Sequence, residues 1–369
     1  MWPVLLFAIA MSAVAGLARQ AHFFHASAHY VRRLARGSDL ALFLIFCGLV
    51  ILCTVFLSID TAAVMLTPAA VALAMTEGKS TRPLTYAVIW LANTASLLLP
   101  VSNLTNLLAL QRGDGAGALA TGTLGFAGLT WIPWLVCAAM PILAILVLEW
   151  REISSPGRTR EPLSADRIPE PNPVLMPSER EERAEIRDRG LLIRASIIIA
   201  LLCLALALGV TPWIAGTLAA VALALSTLAT PGVKLPSGLI PVKMMTLVIG
   251  LFFATDVCAS LARSAFGALE LTNPALIAGA GVIGANAVNN LPAYLALEPA
   301  VSGAQGLLAL LIGVNAGPII TPWASLATLL WYEQLVAEGQ GVNWWRFIRR
   351  GAILAPLTVG AAVAISLSM

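Results

Sequence analysis

Residues 91–110 read LANTASLLLPVSNLTNLLAL. The stretch is long and apolar enough to sit in a bilayer. Yet it carries Asn93, Ser102, Asn103, Thr105 and Asn106, with Pro100 just before the densest cluster. A polar group left unpaired in hydrocarbon costs several kcal/mol, so membrane segments satisfy such groups internally or use them. Five within fourteen residues exceed what a plain anchor needs.

The whole chain shares this apolar character. Of its 369 residues 59% are hydrophobic and 11% charged, against about 25% charged in a soluble domain. Apolar runs recur that match a hydrocarbon core about 30 Å thick. The chain therefore reads as an all-α integral membrane protein, with the lipid bilayer as its first partner. The net charge of +3 says less than where the charges fall. Cys47, Cys53, Cys137, Cys203 and Cys258 lie inside apolar runs with no CxxC or Cys/His spacing, so neither a disulfide framework nor a metal site is expected. No GxxxxGK[ST] loop is present, so an ATPase in this chain is not expected either. No cofactor and no nucleic-acid partner is expected.

The apolar segments are drawn at 3–18, 40–75, 83–110, 124–148, 191–209, 212–229, 242–260, 274–297, 306–335 and 352–368. Residues 151–190 hold eight arginines and six prolines and read as a solvated linker. They separate a first membrane unit, 1–149, from a second, 191–369, with the charged linker at 150–190. Residues 21–37 place His22, His25 and His29 on one helical stripe beside Arg32, Arg33 and Arg36, which suits an amphipathic helix on the membrane surface. A metal-binding or pH-sensing role for those histidines is the alternative.

Lysine and arginine placement sets orientation. If 40–75 and 274–297 are re-entrant hairpins from opposite sides, 20 of the 22 basic residues face one compartment, leaving Arg112 and Arg263 on the other. The basic side is then cytoplasmic, and the chain has eight spans and two hairpins.

Two internal matches support a repeat. AVMLTPAAVAL at 63–73 agrees with AVNNLPAYLAL at 287–297 in six of eleven positions, Pro68 with Pro292 included. Asn93, Pro100 and Leu104 match Asn315, Pro322 and Leu326. The offsets are 222–224 residues. With the orientation above, the copies run in opposite senses. The expected fold is an inverted-repeat transporter with two re-entrant helical hairpins and two interrupted helices, whose breaks enclose a substrate site. Interhelical hydrogen bonding is the competing reading of the Asn, Ser and Thr cluster. Asn103 and Asn315 should face one cavity. The second copy opens with two helices that the first lacks, so the first repeat reads as N-terminally shortened.

Four stretches carry a resemblance: SIDTAAVMLTP at 58–68, NTASLLLPVSNLTNLLAL at 93–110, NAVNNLPAYLAL at 286–297 and GVNAGPIITPWASLATLLW at 313–331. They resemble the ArsB-type arsenite efflux pump family of the ion transporter superfamily. The chain departs from that family in its shorter N-terminus and in Ile59-Asp60, where the family often has Asn-Asp. The resemblance implies export of arsenite or antimonite by proton antiport. It also implies that hairpin tips and helix breaks enclose the substrate. Those positions are Asp60 and Thr61, then Ser102, Asn103, Thr105 and Asn106, with Asn289, Asn290, Asn315, Gly317, Thr321 and Ser325 from the second copy.

These residue types bring hydroxyls, amides and helix ends, and one carboxylate. That suits a small neutral polyol such as trihydroxy arsenite better than a dianion, which would need cationic partners. Asp60 is the expected proton carrier, with a helix N-cap as its competing role. A sodium-coupled anion carrier or sodium–proton antiporter of the same superfamily is the alternative, and a non-transporting or degenerate membrane subunit is another. A homodimer and a separate ATPase subunit docking on the linker stay open as partners.

Overall fold

The computed structural model describes residues 2–111, 122–154, 189–208, 210–233, 235 and 271–368. The expected span at 242–260, most of the linker, Arg112, Arg263 and Cys258 lie outside the described residues. Among the described residues fourteen α-helices form: α1 Trp2–Gln20, α2 Phe23–Ala35, α3 Asp39–Leu57, α4 Ile59–Thr76, α5 Arg82–Thr94, α6 Leu104–Gln111 and α7 Thr123–Ser154. After the linker come α8 Arg189–Ala207, α9 Pro212–Leu228, α10 Pro274–Val288, α11 Asn290–Leu297, α12 Gly303–Ala316, α13 Leu326–Ala337 and α14 Trp344–Ser366. No strand forms among the described residues.

Local chemistry sets many of the starts. Ser38 accepts from Ala41 N at 3.3 Å, Asn273 from Ala275 N at 2.9 Å, and Asn343 from Arg346 N at 2.9 Å, each satisfying an N–H that the first helical turn leaves open. Proline stands in the first turn of α5, α9 and α10, where its missing N–H removes no helical bond.

Five described helices are long and apolar enough to cross a bilayer: α3, α4, α7, α8 and α14. Outward-facing side chains are apolar and recur at helical spacing, as in Ile193, Ile197, Leu201 and Leu204 on α8. The interior holds the amides and hydroxyls, among them Asn93, Asn103, Asn106 and Asn315. This apolar-outside, polar-inside arrangement is that of a multi-pass membrane protein.

Helices α3 and α4 fold back on each other through Ser58, which adopts φ 95. Their far ends meet: Lys79 pairs with Asp39 and donates to Ile153 O at 2.9 Å. Helices α10 and α11 turn likewise at Asn289, with φ 122. Leu271 N donates to Ala300 O at 2.9 Å and closes that hairpin. The two ends of each hairpin therefore lie close together. Small residues let α10 and α12 cross backbone to backbone. A Cβ on Gly281 would lie 3.2 Å from Gly313 Cα, and one on Gly313 would run into Ala278.

Three expectations need correction. The match of 63–73 with 287–297 does not superpose the hairpins, because the turns at Ser58 and Asn289 are 231 residues apart. Pro68 lies deep in α4, whereas Pro292 is in the first turn of α11. Alanine and leucine repeat often enough in apolar helices to align two turns out of register. The last apolar segment, drawn from 352, belongs to a helix that starts earlier. Helix α14 starts at Trp344, so Arg346, Arg349 and Arg350 occupy its first two turns and reach out from helical stems. The cap of α4 is Ser58, whose Oγ accepts from Thr61 N at 3.4 Å, and not Asp60.

Candidate functional site

Two helices are interrupted, as the polar stretches suggest. Helix α5 stops at Thr94, the chain passes through single turns at 95–97 and 100–102, and α6 begins at Leu104. Helix α12 stops at Ala316 and α13 begins at Leu326. The offset of 222 residues relates both ends of one break to both ends of the other. The residue entering each second half is extended: Asn103 has φ -148 and ψ 144, Ser325 φ -142 and ψ 151.

At the first break, side chains take up the freed backbone carbonyls. Asn106 Nδ2 donates to Ser96 O at 2.7 Å and Leu99 O at 3.1 Å. Ser102 Oγ donates to Ser96 O and to Leu99 O. From outside the break, Thr130 Oγ1 donates to Leu98 O at 3.1 Å and Trp134 Nε1 to Ala95 O at 2.9 Å.

Asn315 then joins the breaks. Its Oδ1 accepts from Asn103 Nδ2 and Thr105 Oγ1, both at 2.8 Å, and its Nδ2 donates to Asn106 Oδ1 at 2.6 Å. All four side chains are buried. Asn103 and Asn315 are thus bonded to each other.

The second break hangs on Asn286, which the sequence reading passed over. Asn286 Oδ1 accepts from Ile320 N at 3.2 Å and Thr321 N at 3.0 Å, and Nδ2 donates to Gly317 O at 2.9 Å. Its main-chain oxygen accepts from Thr321 Oγ1 and Trp323 Nε1, both at 2.9 Å. Asn289 Nδ2 donates to Trp323 O at 3.0 Å and Asn290 N to Ala324 O at 2.8 Å. The second hairpin tip is stitched to its break. Gly317 serves close packing, since a Cβ there would lie 3.0 Å from Val282 Cα. Ser325 caps α13, accepting from Thr328 N at 3.2 Å with the two hydroxyls 3.0 Å apart.

The first hairpin tip is different. Among the described residues no hydrogen bond ties it to the first break. Ser58 Oγ and Thr61 Oγ1 lie 3.2 Å apart, a bond within the tip. Asp60 sits in the first turn of α4, and its Oδ1 is buried without a partner. So are Thr54 Oγ1, on the last turn of α3, and Asn93 Oδ1. Helix α3, which leads into this tip, packs on both turns of the first break.

No lysine or arginine lies within either break or at either hairpin tip, 54–61, 93–106, 286–291 or 315–328. Charge concentrates at the basic end. There Glu149, 2% exposed, pairs with Arg82 of α5 and Arg350 of α14, and Arg82 also pairs with Glu152. Among the described residues no three His, Cys, Asp or Glu side chains converge as a metal site would require. The breaks can therefore offer neutral donors and acceptors, and the first hairpin tip adds one carboxylate, Asp60.

A family model described as "Citrate transporter" matches residues 1–331. An uncharacterized transporter of Mycobacterium tuberculosis is 23% identical, over 98% of this chain and 84% of its own length. An arsenical pump membrane protein of Escherichia coli is 26% identical over 94% of this chain and 81% of its own. One from Yersinia enterocolitica is 25% identical over the same shares, 94% and 81%. The match to the arsenical pumps agrees with the resemblance read from the hairpin and break motifs. With its interrupted helices and paired hairpins, the chain belongs to the citrate transporter family, and it is a membrane transporter.

Proposed function

We propose that the protein exports arsenite or antimonite from the cytoplasm by proton antiport, through alternating access of a site between two repeats of opposite orientation. The observation that carries this reading is the chemistry of the breaks: buried amides and hydroxyls, with no cation at either break or tip. A neutral trihydroxy species needs donors and acceptors only. The arsenical pump relatives support the same substrate class. Asp60 carries the proton, because a carboxyl at the first hairpin tip with a buried, unpartnered oxygen is free to change charge as its surroundings alternate. Ser102, Asn103, Thr105, Asn106, Asn289, Asn290, Asn315, Gly317, Thr321 and Ser325 shape the site. Several act through the hydrogen bonds that hold the breaks open rather than by touching the substrate.

Cells expressing the chain should accumulate less arsenite than control cells, and a protonophore should abolish the difference. Equal accumulation would overturn export. Efflux that ignores the protonophore but follows the sodium gradient would move the coupling to sodium.

A carboxylate carrier is the second reading, favoured by the description of the family model. A polyanion would need bound cations to offset its desolvation at these neutral breaks. Uptake of labelled citrate that depends on a metal ion or sodium, without arsenite efflux, would select it.

A further inference from the structure

Helices α8 and α9 pack on each other. Arg194, near the start of α8, bonds to Thr230, just past the end of α9, so the two run antiparallel. An open groove of about 400 Å³ lies between them. On the α9 side Ala222, Ser226 and Ala229 follow at helical spacing, and their small side chains leave the space. Ile197 and Ile198 of α8 and Leu225 of α9 wall it. The surface around it is apolar, with Ile193, Leu201 and Leu228 exposed where hydrocarbon lies.

The end of the groove nearest the linker is polar, and its hydrogen bonding is incomplete. Arg194 Nε donates to Gly190 O at 3.2 Å, and Nη2 donates to Thr230 Oγ1 at 2.7 Å. Thr230, 2% exposed, donates in turn to Ser226 O at 2.9 Å. The guanidinium is thus pinned one helical turn from Ser226. Among the described residues its other N–H groups have no partner, and no carboxylate pairs with it, unlike Arg32, Arg82 and Arg350. Ser226 Oγ is buried and unpartnered. On the same helix Thr217 and Thr227 each donate to the carbonyl four residues back. Ser226 makes no such bond and lines the groove instead.

We propose that this groove seats an anionic glycerophospholipid. Its phosphate sits on Arg194, an oxygen of its glycerol ester accepts from Ser226 Oγ, and an acyl chain runs along Ile197, Ile198 and Leu225. An apolar channel leading away from the guanidinium suits a lipid and is of no use to a free anion. A zwitterionic headgroup brings its own cation, and the groove lining holds no carboxylate to receive it. Arg194 lies five residues into α8, about 8 Å along its axis at the usual rise. From that depth a long basic side chain reaches the headgroup layer.

The test counts lipids on the purified full chain by native mass spectrometry, titrating phosphatidylglycerol and phosphatidylcholine in a neutral detergent. The variants are Arg194→Gln, and Ala222→Leu, which fills the groove and leaves the guanidinium. The count is made on the intact folded chain, so a lower yield of either variant does not enter it. Wild type should prefer phosphatidylglycerol. Arg194→Gln should weaken that binding by about tenfold or more, the loss of a charge-assisted hydrogen bond, and abolish the preference. Ala222→Leu should weaken both lipids by about threefold or more, through displaced acyl contact. Equal affinity of wild type for the two lipids, or phosphatidylglycerol binding unchanged in Arg194→Gln, would leave only unselective lipid contact and overturn the seat. Loss in Arg194→Gln with Ala222→Leu unchanged would put the lipid outside the groove and overturn it too. Inorganic phosphate that displaces phosphatidylglycerol at equal concentration would make the occupant a free anion. Dimers that Ala222→Leu splits while phosphatidylglycerol affinity stays the same would make this face a contact between two copies of the chain. Either result rejects the lipid.

Discussion

The Asn103 side-chain amide donates to Asn315 Oδ1 at 2.8 Å, joining residues 212 positions apart across two helix breaks. One side chain from the second half of the chain thus organises three from the first. Removing it orphans more groups than removing any of its partners. Asn315→Ala should lower stability by about 2–4 kcal/mol, the cost of several buried polar groups left unpaired. Asn103→Ala and Asn315→Ala should be non-additive in thermal unfolding without any ligand. Additive losses would show that the bond contributes nothing to the fold.

Asp60→Asn separates capping from charge. Ser58 already caps α4, so the Asn variant should fold with a melting temperature close to wild type. Its transport should no longer respond to an imposed pH gradient. A pH-driven flux near the wild-type rate would remove Asp60 from proton coupling. Ser58→Ala makes the opposite case and should destabilise the protein by about 1 kcal/mol while leaving the pH response intact.

Asn286 should be the most sensitive hydrophilic position of the second hairpin. Its side chain satisfies two main-chain N–H groups and a carbonyl of the chain between α12 and α13. Asn286→Leu should reduce folded yield in membranes more than Thr321→Val, which removes one hydroxyl. Equal yields would mean that the break is held by packing alone.

The basic end offers a different measurement. Glu149→Gln keeps the shape but strips the charge that Arg82 and Arg350 share. Breaking a buried pair from one side costs about 3–5 kcal/mol, and residual exposure of the arginines places the expected loss at about 2–3 kcal/mol. Glu152→Gln, at the partly exposed edge of the network, should lose less than about 1 kcal/mol. Thermal unfolding at low and high salt checks both, and salt should matter more for the Glu152 pair.

Orientation can be read by labelling. A cysteine at Ser154, at the exposed end of α7, should escape an impermeant maleimide added outside intact cells and react in inside-out vesicles. Labelling of intact cells would invert the topology.

How much was legible in the sequence differs from residue to residue. The breaks were, because Asn, Ser and Thr crowd around a proline where an apolar helix has no use for them, and the 222-residue offset survives in both helix ends. The hairpin correspondence was not, since alanine and leucine match at many registers and only the backbone at Ser58 and Asn289 fixes it. The cap remained a competing role for Asp60 because Asp, Asn and Ser cap comparably well; only geometry distinguishes Ser58 from a neighbour two residues on. Asn286 stayed hidden for a related reason. A single Asn in an apolar helix reads as packing, and its clients lie more than thirty residues downstream. That Asn103 and Asn315 share one bond rather than flank one space depends on sub-ångström placement that spacing does not encode.

The crossing of α10 and α12 has a mechanical side. A Cβ on Gly313 would run into the Ala278 backbone, and Gly281 meets Gly313 Cα just as closely. Contact between main chains has no rotamers to take up slack, so a shift of one helix must be matched by the other. Asn286 fastens the same pair to the loop beyond α12. The second hairpin and its break are thus joined as one unit, whereas among the described residues the tip around Ser58 has no hydrogen bond to its own break.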